Sequence, residues 1–157
     1  MSYESSLMHF PGKNAFLSRT NISMKIILLG YGKMGKIIEG IAVNRGHQIS
    51  ARVDIDNAAD FESAPGDVAI EFSHPEAAFE NVKKCIERKL PVVCGTTGWL
   101  KRKPEIESLC KKNNGTFFYA SNYSLGVNVF FKVNEYIARM MNQLSEYEIS
   151  LDEIHHT

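Results

Sequence analysis

Three glycines, Gly30, Gly32 and Gly35, sit in the stretch GYGKMG directly after the apolar run KIILL. Their spacing suits a bound pyrophosphate. Gly30 permits a tight turn, Gly32 lets the backbone come close to an anion, and Gly35 lets a following helix pack tightly on the preceding strand. Tyr31, Lys33 and Met34 belong to the same turn, whose N–H groups at the helix start face the negative charge. Asp54 lies 22 residues past Gly32, where a carboxylate accepts hydrogen bonds from a ribose hydroxyl of a dinucleotide. That carboxylate, with Ile55 and Asp56 beside it and no compensating cation, opposes a 2′-phosphate, so NADH is expected over NADPH, which stays possible. Arg52 is the exception to weigh, since it alternates with Asp54 at period two. The competing reading is a structural glycine turn with a solvated Asp54.

Further candidates lie downstream. CGTTGW places Gly95, Thr96 and Thr97 after a short apolar run, either as a ligand loop or as a turn whose hydroxyls cap the next helix. YASNYSLGVN does the same with Ala120, Ser121, Asn122 and Tyr123; Asn122 suits a carboxamide, or an Asx turn that starts a helix. His155 and His156 close the chain. On an extended segment neighbours point to opposite faces, so the pair is a poor metal site and no metal is expected. One histidine facing a nicotinamide would be useful, because imidazole can deliver a proton near neutral pH. Spacing alone leaves this level with an ordinary surface pair.

These residues need a frame that brings them together. KIILL reads as a buried strand over 25–29, and Lys33 to Arg45 as a helix with Met34, Ile37, Ile38, Ile41 and Ala42 on one apolar stripe, stopped by Gly46. HQISARVD is a second strand ending at Asp54, followed by a polar loop through NAADFESAPGD. Val68 to Ser73 is a third strand, and Pro75 opens a helix that turns Ala78, Val82, Cys85 and Ile86 to one side. LPVVCGTT is a fourth strand, Pro104 to Lys112 a helix, and TFFYAS a fifth strand. Strict strand–helix alternation with short connections predicts a doubly wound parallel sheet of the Rossmann type, helices on both faces. Residues 24–125 would form this dinucleotide-binding domain. From Val127 a longer helix with Phe130, Val133, Ile137, Met140, Met141 and Leu144 on one side leads into a strand marked by Tyr147, Ile149 and Leu151. Residues 126–157 read as the opening of a second domain.

Composition narrows the class. Basic and acidic residues balance at 18 each, which disfavours a nucleic-acid partner. Cys85, Cys94 and Cys110 are odd in number and lack metal spacing, which suits reduced thiols in a cytoplasmic protein. No apolar run approaches the roughly 20 residues that cross a bilayer. Residues 1–23 are expected to be a disordered leader, or to precede an internal start at Met24.

Taken in order, GYGKMGK, IEFSHPEAA, VVCGTTGW, ASNYSLGVNVFFK and EIHH resemble the 4-hydroxy-tetrahydrodipicolinate (dihydrodipicolinate) reductase family of the diaminopimelate route to lysine, from Met24 to the last residue. The resemblance implies an oxidoreductase that moves a hydride from NAD(P)H to a cyclic, unsaturated dicarboxylate and supplies a proton. It makes His155 the proton donor, with His156 and Thr97 touching substrate. It puts Gly95, Thr96, Thr97 and Ala120 to Tyr123 on the nicotinamide side, and Gly30 to Gly35 with Asp54 on the adenosine side; Ser73 is counted with the cofactor residues. It further implies that residues 126–157 are the start of an α+β substrate and oligomerisation domain, and a homotetramer for the full-length member. The glycine turn is one residue tighter than the GxGGRMG form. The family pattern continues beyond the paired histidines into a lysine and a carboxylate-gripping loop, so this chain is expected to be an incomplete form of low activity. The rival function is a non-catalytic NAD(P)-binding regulatory module.

Overall fold

A computed structural model describes residues 22–148 together with 150, 152 and 154. Five parallel strands form one sheet: β1 (Lys25–Leu29), β2 (Gln48–Val53), β3 (Val68–Glu71), β4 (Val92–Cys94) and β5 (Phe117–Tyr119), in the order β2-β1-β3-β4-β5. The helices are α1 (Lys33–Asn44), the single turn α2 (Asp60–Ser63), α3 (Pro75–Glu87), α4 (Lys103–Asn113) and α5 (Leu125–Met141). Strand succession steps one way from β1 to β2 and the other way from β3 through β5. A right-handed crossover therefore puts α1 on one face and the later helices on the opposite one.

The second face holds the larger core. Ile27 and Leu29 of β1, Ala69 of β3 and Val92 of β4 pack there against Ala78, Val82 and Ile86 of α3 and Ile106 of α4. The α3 stripe expected from spacing is buried as read, with Phe79 added. The expected polar loop after β2 is a correction to the sequence reading. It contains a 3-10 turn at Ile55–Asn57 and α2, and Phe61 within α2 is 2% exposed in the main core. Arg88, just past the end of α3, caps that turn by donating to the carbonyls of Phe61 and Ala64 while lying over the Phe61 ring.

The α1 face is thinner. Only Gly35 and Ala42 of the helix are buried, and Ile37 and Ile41 each remain 47% exposed. A single helix crosses this side because the three later crossovers, through α2, α3 and α4, run behind the sheet. Strands end slightly earlier than read, at Val53 and Glu71, so Asp54 and Ser73 stand in the loops just past the carboxyl edge. α5 forms, two residues earlier than expected, but buries none of its residues. Ile149, Leu151, His155 and His156 lie outside the described residues, as do residues 1–21. Among the described residues no helix is long and apolar enough to cross a membrane, and no three His, Cys, Asp or Glu gather as a metal site.

Candidate functional site

The strand order reverses between β1 and β3, and a crevice opens outside their carboxyl ends, where ligands bind in open α/β sheets. It is a cavity of about 400 Å³ lined by Gly30 to Met34, Asp54, Phe72 to Pro75 and Gly95 to Thr97. Four segments that are distant in sequence thus meet because each follows one of four neighbouring strands of one sheet.

Gly30 makes the first turn at φ +92°, in the left-handed region, and its N–H donates to the Val53 carbonyl at 2.8 Å. A Cβ there would overlap the backbone of Phe72 and Ser73, so the turn and the β3 loop can touch only through glycine. Gly35 lies underneath, against the Gly30 carbonyl, rather than on the crevice wall. Gly32 caps α1 without any side-chain hydrogen bond, and the first intrahelical bond is Lys36 N to Gly32 O at 3.2 Å. The amides ahead of Lys36 therefore lack an intrahelical acceptor at the mouth of the crevice, the arrangement an anion satisfies.

Asp54 is exposed and already half engaged. Its Oδ1 accepts from Ile55 N at 2.9 Å, and Asn57 returns the contact by accepting from Asp54 N at 2.7 Å, a reciprocal cap on the 3-10 turn. The cap holds the carboxylate in place at the exposed edge of the crevice. Arg52 does not stand beside it as a free cation. It pairs with Glu39 of α1 through both carboxylate oxygens, and the Tyr31 hydroxyl also donates to Glu39. The hydrogen bonds from Arg52 and Tyr31 hold the Glu39 carboxyl down at about 2.

The opposite wall rests on Glu71, a fully buried carboxylate at the end of β3. It accepts from Ser73 N at 3.1 Å, from the Ser73 hydroxyl and from Cys94 Sγ at 3.0 Å, and Asn81 Nδ2 donates to Ser73 Oγ at 3.2 Å. Burial, then the neighbouring Glu71, pushes the Cys94 thiol well up, which leaves it a hydrogen-bond donor rather than a nucleophile. Phe72 points from the same turn against Gly95, where a Cβ would strike its ring, and lies 5.9 Å from the ring of Tyr123. Sequence reasoning missed Glu71, Phe72 and His74. The signal was available in IEFSHPE, an acid and an aromatic inside an otherwise apolar strand end.

Thr96 is buried, its Oγ1 has no partner, and the residue lines the crevice beside Thr97. Trp99, 5% exposed, donates from Nε1 to the Thr96 carbonyl at 2.8 Å and so pins this loop from behind. The β5 loop approaches the same edge but does not line the cavity. Tyr123 donates its hydroxyl to the Cys94 carbonyl at 2.8 Å, and Ala120 N donates to the same carbonyl at 3.3 Å. Asn122 Oδ1 accepts from Ser124 N at 2.8 Å, the Asx turn that begins α5, so its side-chain carbonyl is occupied. Ser121, next to it, is exposed. The residues present fit a dinucleotide: an uncapped helix start for the pyrophosphate, a positioned carboxylate for a ribose, and an orphaned hydroxyl at the far end.

Comparison with known proteins agrees with this geometry. The family model described as dihydrodipicolinate reductase, N-terminus, matches residues 24–123. A 4-hydroxy-tetrahydrodipicolinate reductase of Christiangramia forsetii is 50% identical over 137 residues, covering 85% of this chain and 56% of that protein. One from Methanocaldococcus jannaschii is 38% identical over 91 residues, covering 57% of this chain and 32% of that protein. The chain thus spans about half the length, or less, of these curated relatives. Among solved structures, a hyperthermophilic archaeal homoserine dehydrogenase in complex with NADPH superposes with a TM-score of 0.51 at 17% identity, covering 62% of this chain and 44% of that one, a likeness of fold.

Proposed function

The chain belongs to the dihydrodipicolinate reductase family, and from that premise we propose that its crevice binds a pyridine nucleotide for the conversion of 4-hydroxy-tetrahydrodipicolinate to tetrahydrodipicolinate in lysine biosynthesis, in which the hydroxyl leaves as water and the dehydrated ring takes up a hydride and a proton. The observation that carries the reading is the convergence, on one cavity, of the uncapped start of α1, the capped carboxylate of Asp54 and the Thr96–Thr97 loop.

A bound reduced nicotinamide supplies the hydride. The chain's own residues bind and orient. The free amides after Gly32 take the pyrophosphate, since a helix start with unpaired N–H groups stabilises negative charge. Asp54 Oδ2 accepts from a ribose hydroxyl, and Ser73 and His74 form the wall between the two halves of the crevice. The Thr96 hydroxyl, buried without a partner, donates toward the nicotinamide end, and Thr97 toward the substrate. Tyr123 and Phe72 back this end with rings that exclude water. His155 donates the proton and His156 contacts the substrate; both roles rest on the family resemblance. Domain limits follow the same reading, with residues 24–125 holding the nucleotide and 126–157 opening the substrate domain, as does a cytoplasmic homotetramer of the full-length protein. NADH is preferred over NADPH because Asp54 faces the ribose while the Arg52 guanidinium is committed to Glu39.

Titration with NADH tests the reading directly. Trp99 touches the Thr96 carbonyl, so its emission should be quenched saturably, and the quenching should weaken in Asp54→Ala. Steady NADH oxidation with freshly generated substrate, in a protein carrying the remaining length of its relatives, tests the reaction. Trp99 emission that stays constant up to millimolar NADH, with no binding heat, would sink the proposal.

A further inference from the structure

Tyr31, Glu39 and Arg52 form a closed cluster beside the crevice, one residue each from the glycine turn, α1 and β2. The Glu39 carboxylate accepts from Arg52 Nε at 2.9 Å and from its Nη2, a two-pronged pair, and accepts again from the Tyr31 hydroxyl. The guanidinium also stands 5.7 Å from the centre of the Tyr31 ring. Tyr31 is itself part of the crevice wall, and Arg52 precedes Asp54 by two positions. A cation that could meet a phosphate on the adenosine ribose is therefore present, close by, and already held.

The planar fork of an arginine matches a carboxylate and a phosphate in the same bidentate manner, so the two compete for one set of donors. For Arg52 to meet a 2′-phosphate it would have to leave Glu39, stranding a part-buried carboxylate next to an arriving anion. Both consequences act against the phosphate, and neither affects a ribose with a free hydroxyl. The hydrogen bond from Tyr31 strengthens the clamp from the crevice side.

We propose that Glu39 is a specificity-determining residue: by holding Arg52 against α1 it makes the crevice accept the dinucleotide with a free 2′-hydroxyl and refuse the one with a 2′-phosphate. The proposal rests on the dinucleotide reading of the crevice and adds to it the residue that sets the choice.

Calorimetric titration with NADH and with NADPH, on the wild type, Glu39→Gln, Arg52→Gln and the double variant, tests it. In Glu39→Gln the ratio of the two affinities should move toward NADPH by about tenfold, the size of one released charge-assisted phosphate contact. Arg52→Gln alone should leave the ratio near that of the wild type, and the double variant should lose the gain. A merely structural role for Glu39 would weaken both nucleotides alike and leave the ratio in place, which overturns the proposal. So does a gain that survives in the double variant, because Arg52 would then play no part. Should Glu39→Gln fail to fold, Glu39→Asp keeps the charge while shortening its reach, and the same shift in ratio is expected; no shift there counts against the clamp. A wild type that binds neither nucleotide brings down the reading of the crevice and this proposal together, whereas one that binds NADH with a ratio unmoved by the variants brings down the clamp alone.

Discussion

Glu71 has no cation among its hydrogen-bond partners; its three contacts come from the Ser73 amide, the Ser73 hydroxyl and the Cys94 thiol. The Cys94 thiol stays buried, and the Ser73 donors part-buried, if the acceptor goes. Glu71→Ala should therefore cost about 3 kcal/mol, since each unsatisfied group carries a penalty of its own, while Glu71→Gln, which keeps one carbonyl acceptor, should cost about 1 kcal/mol. Urea midpoints of the two variants check the order, and an equal loss would show that the network is unimportant. Glu39 gives a prediction in pH. Its folded-state value of about 2 lies below the ordinary 4.5, because Arg52 and Tyr31 bond to the charged form. A depressed carboxylate contributes stability that is present above 4.5 and is lost as pH falls from there through about 2. Glu39→Gln should flatten the fall of unfolding free energy in that window, measured by denaturant titration at several pH values, and leave the slope near neutrality as it was. Asp54 shows how a count along the chain can find a residue's place without its contacts. Its position was evident from the count after Gly32, but its cap on the 3-10 turn depends on Asn57 folding back, which spacing does not reveal.

At the scale of elements, the two faces of the sheet make different demands on apolar residues of the same type. Ile86 of α3 is fully buried in the main core, whereas Ile41 of α1 keeps nearly half its surface in water. Ile86→Ala should cost about 2–5 kcal/mol and Ile41→Ala less than about 1 kcal/mol, because a cavity forms only at the first site. Thermal melts of the two variants measure the difference, and similar losses would mean that α1 is covered as closely as α3. Gly95→Ala should disturb the crevice rather than the core: a Cβ there meets the Phe72 ring, so NADH affinity should fall with little change in melting temperature. Periodicity made α1 and α3 look alike. Both carry a stripe at intervals of three and four, and the amount of each stripe that is buried was settled by how many crossovers share its face. α2 went unread for a related reason, since one turn of helix is too short to show a period and Phe61 is hidden among polar neighbours.

For the whole molecule, α5 is the element that contributes least to the described core. None of its residues is buried, and Leu125, Tyr136 and Phe130 are 80%, 64% and 56% exposed. Removal of residues 125–157 should accordingly leave the melting temperature within a few degrees, while lowering concentration-dependent association in sedimentation, since an exposed apolar face favours self-contact. A large drop in melting temperature would show that α5 stabilises the sheet. By itself the sequence determined the alternation of five strands with helices, the glycine turn at the first crossover and the acid at the end of the second strand. These are local facts, written in apolar period, in glycine placement and in short counts along the chain. Only the tertiary structure decided that the turn after β3 stands between Gly30 and Gly95, that Glu71 anchors it, and that Arg52 is held by Glu39 rather than left free beside Asp54. Such pairings join residues that no periodicity links, and they exist because parallel strands set the ends of distant segments side by side.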